Sequence, residues 1–212
     1  RLQMKNTPKY TISFTILCIV SVIVFAYIHI NTENFWIFLP GISIFYIIVC
    51  YPLIRKHFQM LSLKQLLIAI LLGILFYTLF LFGNLLLSVF FSDWTKTQIT
   101  LLYTTLQPVT LQNWIFLFLL VIPAEEILWR GLIQGYFQAQ NFKKQMAIGY
   151  ATFLYCLPLF FSVSPLLILA GCIGGIFWGY LYIQTKNLWF PLISHWIFDL
   201  LLLLLFPLEI KQ

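Results

Sequence analysis

Seven stretches of about 20 mostly apolar residues run through the chain, and each is long enough to cross the hydrocarbon core of a bilayer as a helix. They cover residues 10–30, 35–54, 65–92, 112–137, 146–162, 165–184 and 188–208. Only 8% of the residues are charged, so the polar side chains that would cover a soluble globule are missing. The sequence predicts an all-α, polytopic membrane helix bundle with about seven transmembrane helices. It excludes a soluble enzyme, a disordered chain, a disulfide scaffold and a nucleic-acid module.

The domain organisation follows from these segments, because no internal repeat, linker or extramembrane domain is visible between them. We expect one integral membrane domain. Residues 1–111 would supply the first three transmembrane helices with their connections, and residues 112–208 would form a four-helix core that carries the site. The polar stretch near residues 92–112 is interpreted as the longest connection. The first segment lacks a small-residue cleavage site and is expected to be a retained helix.

The charged residues outside the apolar segments are divided unequally between the two ends of the predicted helices. One side would carry nine cations and no acid: Arg1, Lys5, Lys9, Arg55, Lys56, Lys64, Lys143, Lys144 and Lys186. The other side would carry Glu33, Asp93, Lys96, Glu209 and Lys211. The positive-inside rule therefore predicts a cytoplasmic N-terminus. The net charge of +6 then needs no nucleic-acid partner, and the lipid bilayer is the expected surrounding.

A few ionisable residues remain inside the predicted spans: Glu125, Glu126, Arg130, His195 and Asp199. Each costs a few kcal/mol at the bilayer centre, so these groups are expected to face the bundle interior or a wet cavity and to carry the function. A purely structural polar network that fixes helix register is the alternative.

The first group lies in the segment Ile-Pro-Ala-Glu-Glu-Ile-Leu-Trp-Arg-Gly, residues 122–131. Glu126 and Arg130 have the i, i+4 spacing of a helical ion pair, whereas Glu125 is rotated by about 100° and has no cation one turn later. Pro123 is expected to kink the helix just before the pair and to open space for water. Glu125 is therefore the candidate general base.

The second group is His195 and Asp199, which also share a helix face at i, i+4. They would act as an orienting pair, as two metal ligands or as donors to an oxyanion. Two other patterns have structural interpretations. Gly171, Gly175 and Gly179 predict close helix packing. The four cysteines (Cys18, Cys50, Cys156 and Cys172) lie in apolar runs without paired spacing and are interpreted as small buried hydrophobes.

Glu-Glu-x-x-x-Arg-Gly on one helix, followed about seventy residues later by His-x-x-x-Asp, resembles the CPBP family of intramembrane endopeptidases. These are the CAAX proteases and bacteriocin-processing enzymes, also called the Abi family. The resemblance covers roughly residues 112–205. It implies a hydrolase that cleaves a membrane-anchored or lipidated peptide or protein tail without a cofactor or metal. Glu125 would activate water, His195 and Asp199 would stabilise the oxyanion, and Glu126 and Arg130 would brace the site. A prokaryotic inner membrane is the expected location.

One position departs from the family pattern, whose middle motif is Phe-x-x-x-His. The corresponding stretch is Phe153-Leu-Tyr-Cys-Leu157, with leucine in place of the water-holding histidine. Three alternatives follow. In the first, the chain is a variant protease in which Tyr155 would hold the water. In the second, it is a catalytically impaired scaffold that binds peptides. In the third, Cys156 would be a nucleophile with His195 as its base, in a sorting protease or transpeptidase. A transporter is a fourth, less favoured interpretation.

Overall fold

A computed structural model describes residues 8–162 and 164–208, with side chains from residue 12 onward. Several charged residues used in the orientation argument lie outside the described residues: Arg1, Lys5, Glu209 and Lys211, together with the side chain of Lys9. Within the described part the fold consists of helices, as the apolar segments predicted, and the protein is an all-α membrane helix bundle.

Eight helices follow one another along the described chain. Their bounds are Pro8–Ile30 (α1), Phe35–Ile54 (α2), Leu63–Phe90 (α3), Ser92–Leu106 (α4), residues 111–139 (α5), Lys144–Cys156 (α6), Pro165–Thr185 (α7) and Trp189–Leu205 (α8). Short 3-10 turns follow α1, α2 and α6, and the last of these, Leu157–Phe161, contains a proline that lacks the N–H needed to continue the helix.

Four described helices are long and apolar enough to cross a membrane. They are Ile12–Ile30, Thr32–His57, Leu63–Phe90 and Pro165–Thr185, and Trp189–Leu205 is a shorter apolar helix. Every predicted apolar segment falls on a helix. Most of the stretch interpreted as a connection, residues 92–112, is itself helical, because Ser92–Leu106 forms α4. Its buried side chains recur every fourth residue, at Thr95, Ile99 and Tyr103.

The helix α5 changes its hydrogen-bonding register along its length. It begins as an α-helix at Leu111–Phe116, continues as a π-helix at Leu117–Val121 and returns to an α-helix at Ile122–Glu125. A second π-helical segment covers Glu126–Gln134 before the α-helical end, Gly135–Ala139. The predicted break at Pro123 therefore takes the form of wide turns on both sides of the proline. Such turns are rare and concentrate at functional sites.

Two apolar clusters form the interior. One joins α1, α2 and α5, and the other joins α3, α7 and α8 around Phe76 and Trp178. Close helix contacts depend on small residues: a Cβ added to Gly73 of α3 would lie 2.6 Å from the carbonyl oxygen of Ser194 on α8. A Cβ at Gly175 of α7 would lie 2.6 Å from the side chain of Thr152 on α6. The predicted close packing along the α7 glycines is thus present.

The loops with cationic residues meet at one end of the bundle. Asn187 ties the turn between α7 and α8 to the segment after α2, donating to the carbonyl oxygen of Gln59 at 2.7 Å. The backbone N–H of Leu188 donates to the carbonyl oxygen of His57 at 2.8 Å, and Lys186 Nζ lies 3.1 Å from Gln138 Oε1. The shared position of these loops fits the predicted charge asymmetry, whereas the cytoplasmic assignment of that end stays a prediction.

Candidate active site

The Glu126 side chain connects α5 to α8 inside the bundle. Its side chain is fully buried on α5, and Oε1 lies 3.3 Å from Arg130 Nη1, so the predicted ion pair is present. The same oxygen lies 2.9 Å from His195 Nδ1 on α8. The groups from the two sequence motifs therefore meet, although the motifs are 69 positions apart. A charge that is fully buried requires such partners to stay in the apolar interior.

His195 stands between two carboxylates. Nδ1 faces Glu126, and Nε2 lies 3.7 Å from Asp199 Oδ2, one turn later on the same helix. The shorter contact is a hydrogen bond, whereas 3.7 Å is beyond hydrogen-bonding distance. His195 is buried and Asp199 is more accessible, with 14% of its side chain exposed. The imidazole is thus held through the Nδ1 contact, whereas Nε2 makes only the longer contact to Asp199.

Glu125 occupies a different environment from its neighbour in the sequence. It is half-buried, and its Oε2 lies 3.5 Å from the phenolic oxygen of Tyr155 on α6. The Tyr155 hydroxyl is a neutral donor, so it provides a hydrogen bond without a compensating positive charge. Arg130 and His195 both contact Glu126 instead.

Aromatic rings pack against both His195 and Arg130. The Trp178 ring of α7 stacks on the His195 imidazole with a centroid separation of 3.8 Å and an interplanar angle of 21°. The guanidinium of Arg130 lies 5.3 Å from the same Trp178 ring and 5.1 Å from the ring of Tyr155, within cation–π distance of both. Arg130 Nη2 also donates to the carbonyl oxygen of Gly174 at 3.4 Å.

The end of α6 carries Cys156 and Leu157, the two residues on which the sequence-based alternatives depend. Cys156 is the last residue of that helix, and its Sγ lies 2.9 Å from Cys172 Sγ on α7. His195 has its two nitrogens directed at Glu126 and Asp199, so the described residues do not assemble a Cys156–His195 dyad. Leu157 begins the 3-10 turn and is half-buried.

Two features of this cluster were not predicted. Sequence spacing relates residues on one helix, so it did not identify the bond between Glu126 and His195. The sequence analysis also did not single out Trp178. A tryptophan inside an apolar span and beside a glycine run does indicate a packed ring. Among the described residues, no group of three or more His, Cys, Asp or Glu side chains is arranged to hold a metal ion.

The fold and the cluster define a class: a polytopic helical membrane protein with acidic, cationic and imidazole groups collected inside its bundle. The sequence model of one family, described as type II CAAX prenyl endopeptidase Rce1-like, matches residues 107–201. That range contains α5 to α7, α8 up to residue 201 and the whole cluster. Over these residues the chain is thus similar to the CPBP family of CAAX-type proteases. Comparisons with curated proteins and with solved structures gave no match.

Proposed function

We propose that the protein is an intramembrane endopeptidase in which Glu125 activates the attacking water. The observation that supports this proposal is the unequal environment of two adjacent carboxylates. Glu126 is held by Arg130 and His195, whereas Glu125 has a neutral hydroxyl from Tyr155 as its hydrogen-bonding partner. A carboxylate that is not committed to a cation is free to accept a proton from water.

The remaining groups have roles that follow from their positions. A water between Glu125 and Tyr155 gives a proton to Glu125, and its oxygen bonds to the carbonyl carbon of the scissile peptide. The developing oxyanion accepts a hydrogen bond from Nε2 of the protonated His195, because the 3.7 Å gap to Asp199 leaves that donor available. The tetrahedral intermediate then breaks its C–N bond, and Glu125 returns the proton to the leaving amine.

The substrate class follows from the family and from the surroundings of the site. The matching family is described by its action on CAAX prenyl proteins, so we infer that a prenylated or otherwise membrane-anchored tail is the substrate. Many apolar side chains cover the outside of the described helices, and a lipid-linked tail reaches such a bundle by diffusion in the bilayer. A prokaryotic inner membrane stays our proposed location.

A reconstitution experiment tests this function. The purified protein is placed in liposomes with a farnesylated, fluorescence-quenched peptide, and cleavage is followed for the wild type and for Glu125→Gln. Removal of a general base is expected to lower kcat by about 10²–10⁴-fold. Glu33→Gln is the control, because Glu33 is exposed in the turn after α1 and lies outside the cluster.

The outcomes separate the alternatives. Full cleavage by Glu125→Gln would refute the role of Glu125. Loss of activity in Cys156→Ala combined with activity in Glu125→Gln would indicate thiol chemistry. If the wild type binds the farnesylated peptide but never cleaves it, the protein acts as a peptide-binding scaffold, and the hydrolase proposal is wrong.

A further inference from the structure

Cys156 and Cys172 form a pair that the proposed hydrolysis does not use. Their Sγ atoms are 2.9 Å apart, less than 1 Å longer than a disulfide bond of about 2.05 Å. Cys156 is buried at the end of α6, and Cys172 is half-buried in α7. The two helices pack directly against each other through Gly175 and Thr152, so the pair is held by the fold.

We infer that Cys156 and Cys172 constitute a reversible disulfide site whose oxidation fixes the end of α6 to α7. The oxidant is a low-molecular-weight disulfide that enters from the membrane. One thiolate attacks it, releasing the first thiol, and the second cysteine attacks the mixed disulfide, releasing the second thiol. Overall, the two cysteines lose two protons and two electrons, and the reagent takes them up when its own S–S bond is cleaved to two thiols.

The location of the pair favours oxidation. Cys156 ends α6 and Cys172 lies in the first half of α7, so the pair is closer to the turn between these helices than to Lys144 and Lys186. In the predicted orientation this turn lies on the side of the membrane opposite the cytoplasm. Disulfides form and persist on that side.

The consequence for the site rests on the proposed function. Tyr155 directly precedes Cys156, and its hydroxyl is 3.5 Å from Glu125, at the limit of a hydrogen bond. Catalytic hydrogen bonds tighten when substrate binds, so Tyr155 has to approach Glu125 during turnover. A disulfide at Cys156 restrains that movement, and oxidation is expected to lower kcat by about tenfold, the effect of one weakened hydrogen bond.

The test uses the full chain in liposomes and dipyridyl disulfide as the oxidant. Mass spectrometry of tryptic and chymotryptic peptides is expected to show a Cys156–Cys172 cross-link with two thiopyridones released per pair, reversed by dithiothreitol. The double variant Cys18→Ala/Cys50→Ala is the matched control, because it removes two other buried thiols and is expected to cross-link as the wild type does. Cys172→Ala is expected to give no cross-link.

Each outcome bears on a separate claim. If wild-type Cys156 and Cys172 only carry separate mixed disulfides, or react with no reagent at all, the disulfide site is refuted. If the cross-link forms while the cleavage rate is the same before and after oxidation, the restraint of Tyr155 is refuted. A protein that never cleaves the peptide in either state would refute the proposed hydrolase, and the cross-link would still decide the redox site.

Discussion

Replacing Tyr155 with phenylalanine removes only the hydroxyl that contacts Glu125. The ring contacts to Trp129, at 5.4 Å, and to the Arg130 guanidinium, at 5.1 Å, are retained. At 3.5 Å the resting hydrogen bond is weak, so its loss is expected to change the free energy of unfolding by less than about 1 kcal/mol. In the transition state, a hydrogen bond from this hydroxyl to the charged reacting group is expected to contribute about 1.5–3 kcal/mol of stabilisation. Tyr155→Phe should therefore lower kcat by about tenfold to 150-fold.

The assay is steady-state cleavage of the farnesylated peptide in liposomes, with kcat and KM determined separately. KM is expected to stay near the wild-type value, because the hydroxyl contact is weak before the reaction begins. Tyr150→Phe is the control, since Tyr150 lies on the same helix α6 but is 42% exposed and contacts Phe137 and Phe142. If Tyr155→Phe keeps kcat within about twofold of the wild type, the hydroxyl does not hold the water and this role of Tyr155 is wrong.

Two further substitutions test the same cluster. Glu126→Gln leaves Arg130 and His195 buried beside a neutral side chain, so it is expected to destabilise the fold by about 3–5 kcal/mol. The thermal unfolding temperature in detergent measures this loss, and an unchanged temperature would contradict the structural role of Glu126. Leu157→His restores the residue of the family pattern two positions after Tyr155 and is expected to raise kcat by about tenfold or more. No change in the cleavage rate would show that the leucine does not limit the reaction.

The helices were predictable from the sequence because hydrophobic length is a local property. The ends of the helices were predicted less accurately than their existence. The third segment was expected to begin at residue 65, whereas α3 begins at Leu63. A capping box formed by Ser62 and Gln65, with bonds of 2.9 and 3.3 Å, fixes that start, and its pattern is readable in the sequence. The helix α4 was missed because its composition is polar, and its apolar face is recognisable only by the spacing of its buried residues. Length and hydropathy alone do not detect an amphipathic helix.

The sequence identified the residues that meet in this cluster but not how they pair. The i, i+4 rule identified the ion pair between Glu126 and Arg130, since both lie on one helix. It assigned His195 a partner on its own helix, Asp199, and this contact is the longer of the two, at 3.7 Å. The 2.9 Å bond from His195 to Glu126 depends on how α8 packs against α5, which a single sequence does not encode in its spacing.

The packing of α7 determines why the two adjacent glutamates differ. A side chain at Gly174 would place its Cβ 2.7 Å from the Trp178 ring, so the glycine is needed for that ring to lie against His195. The carbonyl oxygen of Gly174 also accepts a hydrogen bond from Arg130. One turn of α7 therefore contacts both side chains that bind Glu126, Arg130 and His195. If Glu125 is the general base that we propose, the glycine run supports the chemistry as well as the packing, because it positions the two groups that contact Glu126.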